Sequence, residues 1–164
     1  MQEIICYKCH KMLPLSLFYN NKHAVRHAKK SSSCKPCENI RTKRKRIRRA
    51  NESIDYFIKE TLYHSKANAL KRKLSWDLKL EEIVILYHKQ DKKCAITNQL
   101  LTHIRGKGQI LTNLSIDRID SSKDYELSNV QLVCFAVNIM KYSFDEETFK
   151  FWISVIHSKL LSNN

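Results

Sequence analysis

The chain is 164 residues long, room for one ordinary domain or for a compact domain joined to a small module. No apolar run reaches membrane-spanning length and the N-terminus Met1-Gln-Glu-Ile-Ile-Cys6 lacks secretory architecture, so the expectation is an intracellular, non-secreted protein with no membrane partner. With 30 Lys and Arg against 16 Asp and Glu, the net charge is +14; a chain this basic most often meets a polyanion, commonly nucleic acid, against the bland alternatives of solubility or contact with anionic lipid.

The first element is a cysteine quartet. Cys6-Tyr-Lys-Cys9 and Cys34-Lys-Pro-Cys37 are two C-x-x-C knuckles separated by 24 residues. Such a pair supplies four thiolates that close tetrahedrally on Zn²⁺, with Zn–S bonds of about 2.3 Å. A module of this size buries little core, so a structural zinc would supply much of its folding free energy. Disulfides need an oxidising compartment, and a redox C-x-x-C needs a strand–helix context; neither is indicated. His10, His23 and His27 lie nearby; His10 adjoins a knuckle and is the alternative to a thiolate, but beside four cysteines it reads as a bystander. Residues 1–40 are therefore a zinc-ribbon module. The segment Leu13-Pro-Leu-Ser-Leu-Phe-Tyr19 resembles zinc ribbons found ahead of phage nuclease domains, in which a Leu-Pro and a Phe-Tyr pair pack beneath the metal, and that likeness spans residues 5–40.

Next comes Arg41-Thr-Lys-Arg-Lys-Arg-Ile-Arg-Arg49, in which seven of nine residues are cationic. A run so dense repels itself, and is expected to fray alone and order on a phosphate backbone. Arg41, Lys43, Arg44, Lys45, Arg46, Arg48 and Arg49 are candidate nucleic-acid contacts; the bland reading is a solvated helix start or a nuclear-import signal. From Ile54, the spacing of Phe57, Ile58, Leu62, Ala69, Leu70 and Leu74 predicts a helix with an apolar stripe. Residues 41–74 form a basic helical connector in this reading, with Tyr63 and His64 more often structural on such a helix.

Residues 75–164 form the third part, and residues 75–141 of it carry the chemistry. Leu80, Ile83, Val84 and Tyr87 predict an amphipathic helix with Asp77 as a candidate N-cap. Cys94-Ala-Ile-Thr97 follows, then Ser115-Ile-Asp-Arg-Ile-Asp120, Asp124-Tyr125, Asn129-Val-Gln-Leu-Val-Cys134 and Asn138-Ile-Met-Lys141. In that order these segments resemble the HNH (His-Me finger) nuclease family. The resemblance implies an α+β fold with an HNH-like ββα-metal finger flanked by helices: strand Leu111–Ile119, turn Ser121–Ser128, strand Asn129–Cys134 and helix Ala136–Tyr142. Asn98 and Asp124 stand where the family uses glycine, and both tolerate positive φ better than most residues. Cys94 and Cys134 have no knuckle partners and read as buried free thiols.

The family likeness implies that Asp117 and Asn138 bind Mg²⁺ or Mn²⁺, that Asn129 braces the turn and orients the catalytic side chain, and that Lys141 accompanies the scissile strand. Arg118 occupies the place of the general-base histidine. Arginine does not deprotonate water at neutral pH. His103 or Asp120 would then act as base, or metal-bound hydroxide would suffice, or Arg118 would bind phosphate in an inactive site. The leading expectation is a metal-dependent endonuclease of phage or mobile-element type, acting in a host cytoplasm or an organelle matrix, on DNA in preference to RNA, without a small-molecule organic cofactor. The runner-up is an inactive descendant that binds nucleic acid within a larger nucleoprotein assembly such as a ribosome. A zinc-ribbon transcription regulator would explain only residues 1–50.

His88 and His157 read as surface or core histidines. Phe149, Trp152, Ile153, Ile156 and Leu160 predict a last helix, capped by Asp145 or Ser143, stapled by Phe144 and packed on the finger. The tail Ser162-Asn-Asn164 is expected to fray.

Overall fold

The computed structural model describes residues 2–24 and 29–162; His27 and the final Asn163 and Asn164 of the expected frayed tail lie outside them. The chain divides into two compact units, Met1–Arg48 and Arg49–Asn164, with the division falling inside a helix.

In the first unit, β1 (Glu3–Ile5) pairs antiparallel with β2 (Met12–Pro14), and β3 (Phe18–Asn20) with β4 (Lys30–Cys34). Helix α1 (Lys35–Glu52) follows β4 without a linker, so Cys37 sits in its first turn. Phe18, Cys6 and Cys34 form a small core, with Ile4, Leu13, Cys9 and Cys37 half-buried around it. The Leu-Pro/Phe-Tyr expectation needs one correction. Tyr19 is exposed, because strand alternation turns it away from Phe18, and its hydroxyl donates to Asn39 Oδ1 at 3.1 Å.

The basic run does not stand as a frayed segment. It forms part of α1, which runs on to Glu52, about four turns beyond the second knuckle. Lys and Arg are good helix formers, and the start of the helix is fixed by β4 and the knuckle, which removes the costly nucleation step. Within this unit every cation from Arg41 to Arg48 is exposed; Arg41 is paired with Glu38 one turn earlier.

In the second unit, Ser53 caps helix α2 (Ile54–Lys71) by accepting from Tyr56 N at 3.2 Å. Phe57, Ile58, Leu62 and Ala69 are buried, each large apolar side chain contributing about 1.5–3 kcal/mol of transfer free energy. Leu70, expected on the same stripe, is exposed. Strand β5 (Trp76–Asp77) precedes α3 (Leu80–Lys89), which buries Ile83 and Tyr87. Asp77 does not cap α3: it lies in β5, and the cap is Lys79, whose backbone N–H is taken by Glu82 at 2.9 Å.

Strand β6 (Leu114–Arg118) pairs antiparallel with β8 (Val130–Cys134), Leu114 opposite Cys134 and Arg118 opposite Val130. A short β7 (Tyr125–Glu126) runs parallel to β5, and α4 (Phe135–Lys141) continues directly from β8. The order is strand, turn, strand, helix, within a mixed α+β architecture. The expected first strand is shorter than Leu111–Ile119, because Asn113 folds its side chain back onto Ile104, accepting from Ile104 N and donating to Ile104 O, both at 2.8 Å. The second begins at Val130, since Leu127–Asn129 is a 3-10 turn. The helix stops at Lys141, where Tyr142 turns to φ 50°.

Of the two glycine substitutes, Asn98 has the expected left-handed φ of 59°. Asp124 does not. It accepts from Ser75 N at 2.9 Å through Oδ1, which ties the turn to the segment before β5. Cys94 and Cys134 are buried free thiols, and burial pushes Cys134 up.

Helix α5 (Glu146–Leu161) is capped by Asp145, which accepts from Thr148 N at 2.8 Å. The expectation that its apolar stripe packs on the finger fails beyond its first turns. Phe149 is buried, but Trp152, Ile153, Ile156 and Leu160 are exposed, and so is Phe144. No helix among the described residues is long and apolar enough to cross a membrane.

Candidate functional site

The four cysteines of the first unit meet from three places: the turn after β1, the end of β4 and the first turn of α1. Their sulfurs all lie within 4.8 Å of one another. Tetrahedral bonds of about 2.3 Å put sulfurs roughly 3.8 Å apart, so the quartet fits one zinc-sized ion. Burial opposes ionisation of Cys6, but backbone N–H groups from Cys34, Cys9 and Lys8 outweigh it and hold the thiol at about 6. His10 is exposed at φ 57° and is not part of the cluster.

The second unit carries a cavity of about 340 Å³ where the end of β6, the C-terminal half of α2 and α4 converge. Asp117, Arg118 and Asn138 line it together, along with Ser65, Asn68, Arg72, Ser121, Tyr125 and Tyr142. β6 brings Asp117 and Arg118 because it ends there, and α4 brings Asn138 because it starts immediately after the partner strand.

Asp117 is 4% exposed. Its Oδ1 meets Lys141 Nζ at 3.3 Å and its Oδ2 accepts from Gln131 Nε2 at 3.1 Å. Burial raises its pKa, and neither Gln131 nor Lys141 fully offsets this. Lys141 is wholly buried, also donating to Arg118 O at 2.7 Å and approaching Ser121 Oγ at 3.4 Å. It therefore does not lie on the surface beside a scissile strand: its ammonium is the counter-charge of Asp117.

Asn129 is buried in the turn. Its Oδ1 accepts from Asp120 N, and its Nδ2 donates to the carbonyls of Asp120 and Asp124, all at 3.0 Å. It braces the loop between β6 and β8 and is not among the residues lining the cavity. Asn138 Nδ2 donates to Ser115 Oγ at 2.7 Å, so what it offers the cavity is its carbonyl oxygen.

The candidate bases are placed elsewhere. His103 stacks edge-on against Phe57 with centroids 6.2 Å apart and does not line the Asp117 cavity. Asp120 does not line it either, and the Ser122 hydroxyl and backbone N–H hold it at about 2, too weak a base for this task. His64, expected to be structural, is exposed on α2 and lines a neighbouring cavity of about 290 Å³ that shares Ser65 and Asn68 with the first.

A divalent ion at Asp117 and Asn138 does not fit this arrangement. The site offers one carboxylate, already neutralised by a buried ammonium 3.3 Å away, and one amide oxygen. Among the described residues the four cysteines are the only cluster of three or more His, Cys, Asp or Glu ligands. An added 2+ charge beside Lys141 would face a repulsion that one carboxylate does not cancel.

Arg72, Tyr125 and Ser121 were not legible as site residues. Arg72 sits at the end of α2, and no motif marks it. The pairing of β5 with β7 carries Tyr125 to it, so the group arises only in three dimensions.

No known protein-family description matches the sequence, and no curated protein matches it either. Among solved structures, the chain is similar to the rare-cutting HNH restriction endonuclease PacI, described for its mechanism of DNA perturbation. That similarity spans 97% of this chain and 96% of that one, at 18% identity and a TM-score of 0.43.

Proposed function

We propose that this is a nucleic-acid-binding protein in which a zinc ribbon and a basic helix accompany an HNH-like finger that receives one phosphodiester. One observation carries the reading: Asp117 and Arg118 from β6 and Asn138 from α4 meet in a single cavity, and the cations there outnumber the acids. Lys141 neutralises Asp117, which leaves Arg118 and Arg72 as net positive charge facing the opening. The exposed cations of α1, Arg41, Lys43, Arg44, Lys45, Arg46 and Arg48, add phosphate contacts that do not depend on sequence. Zinc is the metal that suits four thiolates in this compass, and its role is structural. DNA is the first partner to test and RNA the second. Binding of a labelled duplex that weakens steeply with salt tests the reading, and salt-independent binding or none removes it.

A second reading is hydrolysis, in a phage or mobile-element endonuclease. It is favoured by the presence of Asp117 and Asn138 in one cavity, the two oxygen donors such chemistry requires. Against it stand the Lys141 pair and the lack of an imidazole lining that cavity. Plasmid incubated with Mg²⁺ or Mn²⁺ separates the readings: nicking lost in both Asp117→Ala and Asn138→Ala establishes the enzyme, and intact plasmid leaves the binding protein.

A further inference from the structure

The cavity beside Asp117 contains a grouping that the finger motif does not account for. The Arg118 guanidinium carbon lies 5.2 Å from the centroid of the Tyr125 ring, and that of Arg72 lies 6.0 Å from the same centroid. Arg72 Nη2 also donates to the Tyr125 hydroxyl at 3.0 Å, its Nε donates to Asn68 O, and Arg118 Nη1 donates to Lys123 O. Both arginines line the cavity, and among the described residues neither has a carboxylate partner.

The two guanidiniums lie at most roughly 11 Å apart, about one Debye length at 0.1 M salt, so their mutual repulsion is screened in part and not abolished. The ring relieves part of this through cation–π attraction, but a ring carries no net charge. Asp117, the nearby acid, already has its counter-charge in Lys141. The hydrogen bonds to Lys123 O, Asn68 O and the Tyr125 hydroxyl hold both forks in place and leave other N–H groups of each without an acceptor among the described residues. Fixed, planar, unneutralised guanidiniums at a shared opening are matched by a tetrahedral oxyanion.

We propose that Arg72 and Arg118, held by Tyr125, form a fork that grips one phosphate of a nucleic-acid strand. This rests on the nucleic-acid reading of the same cavity and names the contacts that make it. Arg118 thus takes the place of a proton acceptor with a phosphate ligand, and Arg72 from α2 is its partner. The bound group is a phosphodiester monoanion; inorganic phosphate shares the chemistry and is the competing source.

The test uses the full-length zinc-loaded protein, a fluorescent duplex and a salt series. Each phosphate neutralised contributes about 0.9 to the slope of log K against log salt. If both arginines hold the same phosphate, Arg72→Gln or Arg118→Gln alone changes the slope by well under 0.9, and the double variant lowers it by about 0.9. A fall of about 1.8 in the double variant means two separate phosphates and overturns the fork. An unchanged slope in a folded double variant also overturns it, while leaving the nucleic-acid reading intact. Absence of salt-dependent binding by the wild type removes that underlying reading instead. Inorganic phosphate titrated into the wild type provides the other arm: saturation lost in the double variant, with no effect of the variant on duplex binding, would assign the site to free phosphate and overturn the nucleic-acid fork. Should the glutamine pair fail to fold, Arg72→Lys with Arg118→Lys preserves charge but not the planar geometry. The slope should then persist while binding weakens about tenfold, and lysines that bind as tightly as arginines overturn the fork.

Discussion

Replacing Lys141 with methionine removes an ammonium that is wholly buried and leaves Asp117, 4% exposed, without its counter-charge. The methionine fills most of the same volume, so the loss is electrostatic. Breaking one side of a buried pair typically costs about 3–5 kcal/mol, because the remaining charge keeps its desolvation penalty. For a unit of this size the expected fall in melting temperature is about 10–20 °C, read by circular dichroism or calorimetry at pH 7. Adding Asp117→Asn to Lys141→Met should recover more than half of the loss, since the neutral amide retains the shape and still meets Gln131. The pH dependence has a definite sign. Burial raises Asp117 above its ordinary 3.8, so the native state holds that proton more tightly than the unfolded chain. Its contribution is present in full below 3.8 and is lost as pH rises through the raised native value. Without the ammonium the native value climbs further, so the deficit of Lys141→Met should shrink on acidification. A Lys141→Met protein within about 1 kcal/mol of wild type at pH 7, or a double variant no more stable than the single, would refute the reasoning.

Chelation should unfold the ribbon first: one zinc per chain by elemental analysis, with loss of structure before Asn39 on adding a strong chelator, and no zinc after reducing purification would remove that expectation. Replacing Arg44, Lys45, Arg46 and Arg48 with glutamine should flatten the salt dependence of nucleic-acid binding by up to about 0.9 for each phosphate no longer neutralised, measured by fluorescence anisotropy. If plasmid is cut, Arg118→His separates two roles at that position: a maintained or raised rate means that an imidazole, with an ordinary pKa of about 6.5, restores a proton acceptor, whereas a slower enzyme agrees with the phosphate grip of Arg118. Asn129→Ala should lower the melting temperature by several degrees, since it strands the Asp120 N–H and two carbonyls of the turn.

The cysteine spacing located the ribbon because four sulfurs at a fixed separation admit few geometries. The finger was legible only through a resemblance, carried by the order of Cys94–Thr97, Ser115–Asp120, Asp124–Tyr125, Asn129–Cys134 and Asn138–Lys141; its register, Leu114 opposite Cys134, and the Asn129 hydrogen bonds came from the fold. What the sequence did not reveal depends on contacts between distant segments. Lys141 looks like any helix-end cation until β6 puts Asp117 beneath it. Arg72 gains meaning only when β5 and β7 pair. The last helix misled because its apolar spacing is real, yet Trp152, Ile156 and Leu160 remain exposed on it. Periodicity reports a face and does not say what covers it.

The short parallel pair of β5 and β7 has an optical consequence. It stacks Trp76 on Tyr125 with ring centroids 4.8 Å apart, so an indole stands one ring away from both arginines of the cavity. The other tryptophan, Trp152, is half exposed on α5 and lines neither the cavity beside Asp117 nor the one that adjoins it. Emission from the chain is therefore expected to separate into a solvent-like component remote from the site and a part-shielded one beside Tyr125, and only the second should respond to an anion held by Arg72 and Arg118. With Trp152→Phe, the unlabelled protein carries its own single-tryptophan gauge of occupancy.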